Sequence, residues 1–166
     1  MLQAPLKERY REAPEAALVT LRARARLGEE VSCKIETHKA LVTAGLHPAT
    51  GGTGLLACSG DMLLEALVAC AGVTLGAVAT SLGIELRDAI LKAEGDIDFR
   101  GTLGVSKETA VGFQSIRLEV ALDTDASQEQ IDALLRLTER YCVVYQTLSR
   151  SPAMSIARAP ALGSHS

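Results

Sequence analysis

The residues of this chain with the clearest potential for chemistry are its four cysteines: Cys33, Cys58, Cys70 and Cys142. No two of them form a Cys-x-x-Cys pair, and the three histidines are scattered along the sequence. This spacing is not that of a structural zinc site, and we predict neither a metal nor a cofactor. The thiols are therefore expected to be either inert small hydrophobic residues or catalytic groups.

Cys70 is predicted to lie well inside a long helix over residues 59–82. Ser59 can cap this helix, Asp61 is favoured in its first turn by the helix dipole, and Gly83 ends it. The helix is apolar on all sides, which predicts a position at the centre of the molecule. An acidic residue within its apolar run and the lack of flanking basic residues favour a core helix over a membrane span.

Cys142 is predicted to lie at the end of a second helix. Ser127 begins this helix and Gln130 stands three residues later, which is the spacing of a capping box. Apolar residues then recur at helical spacing to about Tyr141, and a short helix is predicted over residues 143–148. The two cysteines thus hold comparable positions beside small or aliphatic residues.

Any reaction of Cys70 depends first on the pKa of its thiol. A thiol within an apolar helix normally has a raised pKa, so we expect a cationic group to reach Cys70 if it is a nucleophile. A guanidinium stays charged when desolvated and can donate several hydrogen bonds. Three candidates lie on one face of a predicted strand: Arg22, Arg24 and Arg26. Asp61 and Glu65 are the carboxylates that precede Cys70 on its helix.

The whole sequence predicts an α+β fold in a single domain, residues 1–166. The predicted strands cover residues 18–27, 31–37, 84–99 with an interruption or bulge near Gly95, 114–122 and 154–158. The first two form a hairpin, and a long irregular loop over residues 38–59 joins them to the first helix. Residues 1–14 are a polar leader, and residues 159–166 are a flexible tail.

Composition excludes several classes of function. The net charge is −3, aromatic residues make up 3% of the chain, and there is no cluster of Lys and Arg, so nucleic-acid binding is not predicted. The charged N-terminus lacks the apolar centre of a signal peptide, so we expect a cytoplasmic location without membrane association. Gly51, Gly52 and Gly54 are not followed by the lysine of a phosphate-binding loop.

Two segments resemble the OsmC/Ohr family, the osmotically induced and organic hydroperoxide resistance proteins. Residues 59–70 read Ser-Gly-Asp-Met-Leu-Leu-Glu-Ala-Leu-Val-Ala-Cys, similar to the family's helix that leads to its first cysteine. Residues 141–148 read Tyr-Cys-Val-Val-Tyr-Gln-Thr-Leu, similar to its second cysteine motif. The resemblance extends over residues 18–158. It implies an OsmC-like fold, an intertwined homodimer with antiparallel sheets wrapped around central helices and active sites at the subunit interface.

The resemblance also implies roles for individual residues. Cys70 would attack the peroxide and become a sulfenic acid, and Cys142 would resolve it as a disulfide that a dithiol, such as a lipoylated protein, reduces. The family's activating arginine points to Arg22, with Arg24 second. Asp61 would replace the family carboxylate, although Gly60-Asp61 stands here where many members carry Pro-Glu or Glu-Glu. Val143 stands where many members carry proline.

Two functions follow, and a third has less support. The first is a thiol peroxidase for organic hydroperoxides, favoured over hydrogen peroxide by an apolar lining of Leu, Val and Ala. The second is a non-catalytic OsmC-like protein that binds a small apolar ligand at the dimer cleft. A thiol-based sensor would need a partner surface that the sequence does not indicate. Cys33 and Cys58 are predicted to be small hydrophobic residues.

Overall fold

The computed structural model describes residues 12, 24–27, 32–36 and 41–159. The chain divides into two compact units, Met1–Ser59 and Gly60–Ser166. Among the described residues, the first unit consists of short strands, and the second contains most of the helical structure and a long hairpin. The prediction of a single domain stays a prediction.

The first unit contains a four-stranded sheet in the order β1-β2-β3-β4. Its strands are β1 (Arg24–Leu27), β2 (Ser32–Glu36), β3 (Leu41–Gly45) and β4 (Ala57–Cys58). The predicted hairpin is confirmed, because β1 and β2 pair antiparallel with Arg24 opposite Glu36. Arg22 lies outside the described residues.

The predicted irregular loop over residues 38–59 is wrong in part. β3 pairs antiparallel with β2 and parallel with β4, and a 3-10 turn, Pro48–Thr50, lies between β3 and β4. The imidazole of His47 accepts a hydrogen bond from the Ala49 N–H and caps this turn. β3 contains too few residues for a period of two to stand out in the sequence.

The long helix is confirmed as α1 (Ser59–Leu82), with Asp61 in its first turn and Gly83 beyond its end at φ 68°. Its length and composition would also suit a membrane span, as is true of many core helices. Its buried residues form one stripe: Leu67, Ala71, Leu75, Val78 and Ala79. Val73 is 77% exposed, so the predicted burial on all sides is wrong for a single protomer.

A two-stranded antiparallel hairpin follows α1, formed by β5 (Asp88–Ile97) and β6 (Phe113–Asp123). β5 is one strand, and its register shift lies between Asp96 and Ile97, near Gly95 as predicted. The connection includes a short helix, α2 (Phe99–Thr102). Half-buried residues alternate with exposed ones along β5 and for most of β6, so one face of the hairpin packs on the helices.

The predicted second helix is confirmed as α3 (Gln128–Tyr141), and the short helix as α4 (Val143–Ser149). The capping box is present: the Gln130 N–H donates to Ser127 Oγ, and the Ser127 N–H donates to Gln130 Oε1. Cys142 is the only residue between the two helices and caps both of them.

The predicted closing strand at residues 154–158 is wrong for this protomer. These residues lie outside regular secondary structure, and Met154 and Ile156 are 88% and 101% exposed. A strand needs a neighbour for its backbone hydrogen bonds, and the alternation of side chains cannot supply one.

The core of the second unit consists of two adjacent clusters. One contains Leu75, Val78, Ala79, Ile84 and Leu134. The other contains Leu67, Ala71 and Cys142, with Cys70 packed against them. The second cluster therefore brings both predicted reactive cysteines into the interior between α1, β6 and α4.

Candidate functional site

The site is built around two thiols from separate helices. Cys70 lies on α1, and Cys142 lies at the junction of α3 and α4, where it is 1% exposed. Both are free thiols, and their side chains hydrogen bond to each other. The structure thus joins, in one packed cluster, two residues that the sequence places far apart.

The pKa of the Cys70 thiol is set by its burial and its hydrogen-bond partners. Burial raises the pKa of its thiol, but hydrogen bonds from the Val144 N–H, the Cys142 thiol and the Val143 N–H outweigh burial and leave that pKa below its ordinary value. These bonds stabilise the thiolate, which is the reactive form of cysteine.

Cys142 is shifted in the opposite direction. Burial raises the pKa of the Cys142 thiol, and the adjacent Cys70 raises it further, whereas the Tyr145 N–H, 3.5 Å from Sγ, only partly offsets them. Two like groups whose environments push their pKa values apart are suited to different steps of one reaction.

The source of this asymmetry was missed by sequence reasoning. The expectation that a cation reaches Cys70 stays a prediction, and the structure adds a second source of the lowered pKa, the backbone N–H groups in the first turn of α4. The first N–H groups of any helix lack partners within that helix. The predicted short helix directly after Cys142 was therefore the available signal.

Two cavities lie along β6 near the thiol pair, and Cys142 lines the second of them. The first, about 270 Å³, is lined by Leu67, Phe113, Gln114, Ser115, Ile116, Leu118, Tyr145, Leu148 and Ser149. The second, about 260 Å³, is lined by Ala71, Ile116, Leu118, Val120, Leu135, Thr138, Glu139, Cys142 and Tyr145. Apolar side chains, aliphatic or aromatic, make up more than half of each lining, so the space suits an apolar molecule.

Comparison with known proteins identifies the family. Residues 52–157 match the family model described as OsmC-like protein. The chain belongs to the OsmC-like family. The match includes both cysteines of the site and confirms the predicted family. No curated protein matches the sequence.

Solved structures share the OsmC-like fold. An OsmC-like protein from Mycoplasma pneumoniae is 19% identical with a TM-score of 0.67, and the match covers 80% of this chain and 89% of that one. An organic hydroperoxide resistance protein from Legionella pneumophila is 18% identical, with TM-score 0.63 and coverages of 80% and 90%. One from Elizabethkingia anophelis is 18% identical, with TM-score 0.64 and coverages of 81% and 91%. The predicted α+β fold is confirmed.

The other predicted site residues of this OsmC-like protein are not joined to the thiols by the described structure. Asp61 lies nine residues before Cys70, about 13 Å along the axis of α1, so it cannot contact the thiol through its own helix. Arg22 lies outside the described residues, and Arg24 and Arg26 lie in β1. Their pairing with Asp61 or Glu65 stays a prediction.

The two remaining cysteines lie on strands of the first unit. Cys58 ends β4 as a half-buried free thiol, and Cys33 lies in β2. Within the described ranges, no three His, Cys, Asp or Glu side chains are grouped as metal ligands. The site as it stands contains thiols, backbone donors and apolar walls, which is a set of groups for thiol chemistry.

Proposed function

We propose that this OsmC-like protein reduces organic hydroperoxides through its two contacting cysteines. The observation that carries the proposal is geometric: two free thiols from separate helices pack together in one buried cluster, and the first N–H groups of α4 donate to Cys70. An inert core cysteine needs only apolar neighbours, whereas Cys70 also receives backbone N–H groups that stabilise a thiolate.

The proposed reaction has three steps. The Cys70 thiolate attacks the outer peroxide oxygen, the O–O bond breaks, and the alkoxide takes a proton and leaves as an alcohol, so Cys70 becomes a sulfenic acid. The Cys142 sulfur then attacks the Cys70 sulfur, releasing water and forming a disulfide. A dithiol returns both cysteines to thiols and becomes a disulfide itself.

The apolar surroundings support an organic substrate. Leu67, Ile116 and Leu118 pack around the thiols and line adjacent space that would bury an alkyl group. Burying apolar surface is favourable by about 25 cal/mol per Å², which hydrogen peroxide cannot exploit. The Legionella and Elizabethkingia proteins are named for resistance to organic hydroperoxides.

The proposal also assigns roles to residues for which the structure describes no contact with the thiols. These roles are implied by the resemblance to the family. Arg22, with Arg24 second, would donate hydrogen bonds to the peroxide and the thiolate, and Asp61 would hold that arginine. The reductant would be a dithiol, as on a lipoylated protein. A cytoplasmic location fits this chemistry, since cytosolic thiols are kept reduced.

A homodimer is part of the proposal, and two exposed apolar features support it. α1 leaves a side unburied that includes Val73, and only 28% of its most apolar stretch is buried in one protomer. Met154 and Ile156 alternate along an exposed segment. We expect light scattering to give twice the mass of one chain, and a Val73→Glu variant to shift that mass toward the monomer. A monomeric wild type would contradict this part of the proposal.

The decisive test is a thiol count with intact mass. Reduced protein is treated with one equivalent of cumene hydroperoxide, and we expect two of the four thiols to disappear with a mass loss of about 2 Da. Peptide mapping should place the disulfide between Cys70 and Cys142. Survival of all four thiols would overturn the peroxidase proposal and favour the second function, binding of an apolar ligand, which the cavities also support.

A further inference from the structure

Tyr145 occupies a position that the proposed reaction does not yet use. It lines both cavities, and Ile116 and Leu118 are the other two residues that do so. Ile116 and Leu118 belong to β6, whereas Tyr145 extends from α4. The three side chains pack in the same cluster, so they form the wall between the two cavities.

The cavities follow one another along β6. The second is lined by β6 from Val120 to Ile116, and the first by β6 from Leu118 to Phe113. At about 3.3 Å per residue, the stretch from Val120 to Phe113 extends over about 23 Å. This shape matches a linear chain better than a compact molecule.

The position of Tyr145 is fixed by two polar contacts. Its hydroxyl hydrogen bonds to the Glu139 carboxylate, which lines the second cavity, and its N–H donates to Cys142 Sγ. Glu139 lies three residues before Cys142, on the same side of α3. The backbone N–H anchors Tyr145 at Cys142, and the packing of its ring in the cluster places the ring near the thiol pair.

The volumes of the two cavities indicate what this wall does. Each cavity alone, at about 260 and about 270 Å³, is slightly smaller than pockets that hold typical small ligands, about 300–1,000 Å³. Joined, they would fall within that range. We propose that Tyr145 determines the length of the alkyl chain accepted beside Cys70 and Cys142, by closing the second cavity against the first. This inference rests on the proposed peroxidase function and names its specificity residue.

The test compares two substrates in three proteins. The ratio of kcat/KM for a long linear fatty-acid hydroperoxide over that for tert-butyl hydroperoxide is measured in wild type, Tyr145→Ala and Tyr145→Phe. We expect Tyr145→Ala to raise this ratio about tenfold, the effect of about two more buried methylene groups. Tyr145→Phe should keep the wild-type ratio, because the ring remains.

Two further measurements distinguish a wrong inference from a variant that does not fold or a protein without peroxidase activity. Tyr145→Leu, with thermal melting of each variant, covers the case in which Tyr145→Ala fails to fold. A ratio unchanged in folded Tyr145→Ala and Tyr145→Leu would overturn the inference while leaving the peroxidase intact. Binding of unreactive linear alcohols of increasing length, measured by calorimetry, tests the wall without turnover. If wild type consumes no hydroperoxide, the proposed function fails, and the alcohol series still decides whether Tyr145 limits chain length.

Discussion

Replacing Cys70 with serine is expected to lower hydroperoxide turnover by more than about a hundredfold. A serine hydroxyl in this position is not ionised at neutral pH and cannot form a sulfenic acid, whereas the Cys70 thiolate is stabilised by N–H groups of α4. The measurement is the consumption of cumene hydroperoxide with dithiothreitol as the dithiol. Near wild-type turnover by Cys70→Ser would show that another group reacts.

Cys58→Ser is the matched control, since it removes another half-buried free thiol without touching the site. It should keep wild-type turnover.

The pH profile of the wild type supplies a second readout. Because the pKa of Cys70 lies below its ordinary value, its thiolate is fully formed at lower pH than in a free cysteine. The rate of the first step should therefore reach its plateau at a lower pH than the rate of an unperturbed cysteine, and fall as the pH drops through the lowered pKa.

Local signals in the sequence predicted the positions of both cysteines. Ser127 and Gln130 form the predicted capping box, which fixed the start of α3 and, through its length, placed Cys142 at its end. Gly83 has the positive φ expected of the residue that ends α1. These features depend on residues close together in the chain, so a single sequence is sufficient to find them.

The predictions that were wrong concern contacts between residues distant in the chain. The apolar residues on all sides of α1 do not reveal whether one protomer or two must bury them. In the single protomer Val73 is exposed. The alternation at residues 154–158 predicts a strand without supplying its neighbour. The pairing of β3 with β2 likewise depends on contacts across the sheet rather than on the residues of β3.

The sequence predicted which two cysteines come together but not the backbone N–H groups that surround Cys70. The family motif indicated that Cys70 reacts first, and the argument from residues asked for a cation. In the structure, the junction at Cys142 accounts for both shifts: it places the Val143 and Val144 N–H groups against Cys70 while burying the Cys142 thiol. An arginine would add to this effect and would act on the peroxide oxygen, which these N–H groups do not address.

Replacing Cys142 with serine is expected to separate the first chemical step from the second. The variant should consume one equivalent of hydroperoxide and then stop in the absence of added thiol, since no second sulfur is available to resolve the Cys70 sulfenic acid. Dimedone labelling followed by mass spectrometry should find the adduct on Cys70. With dithiothreitol, steady-state turnover should fall by more than about tenfold, because the dithiol must reach the sulfenic acid directly.

Serine is the appropriate replacement because Cys142 also has a structural role. Its side chain accepts the Tyr145 N–H at the start of α4, and serine is a good residue for that position, whereas alanine would cost about 1 kcal/mol. Cys142→Ser should therefore keep α4, and with it the N–H groups that lower the pKa of Cys70. An unlabelled Cys70 in a folded Cys142→Ser protein would contradict the assigned order of attack, whereas dimedone on Cys70 alone would establish that Cys142 acts second.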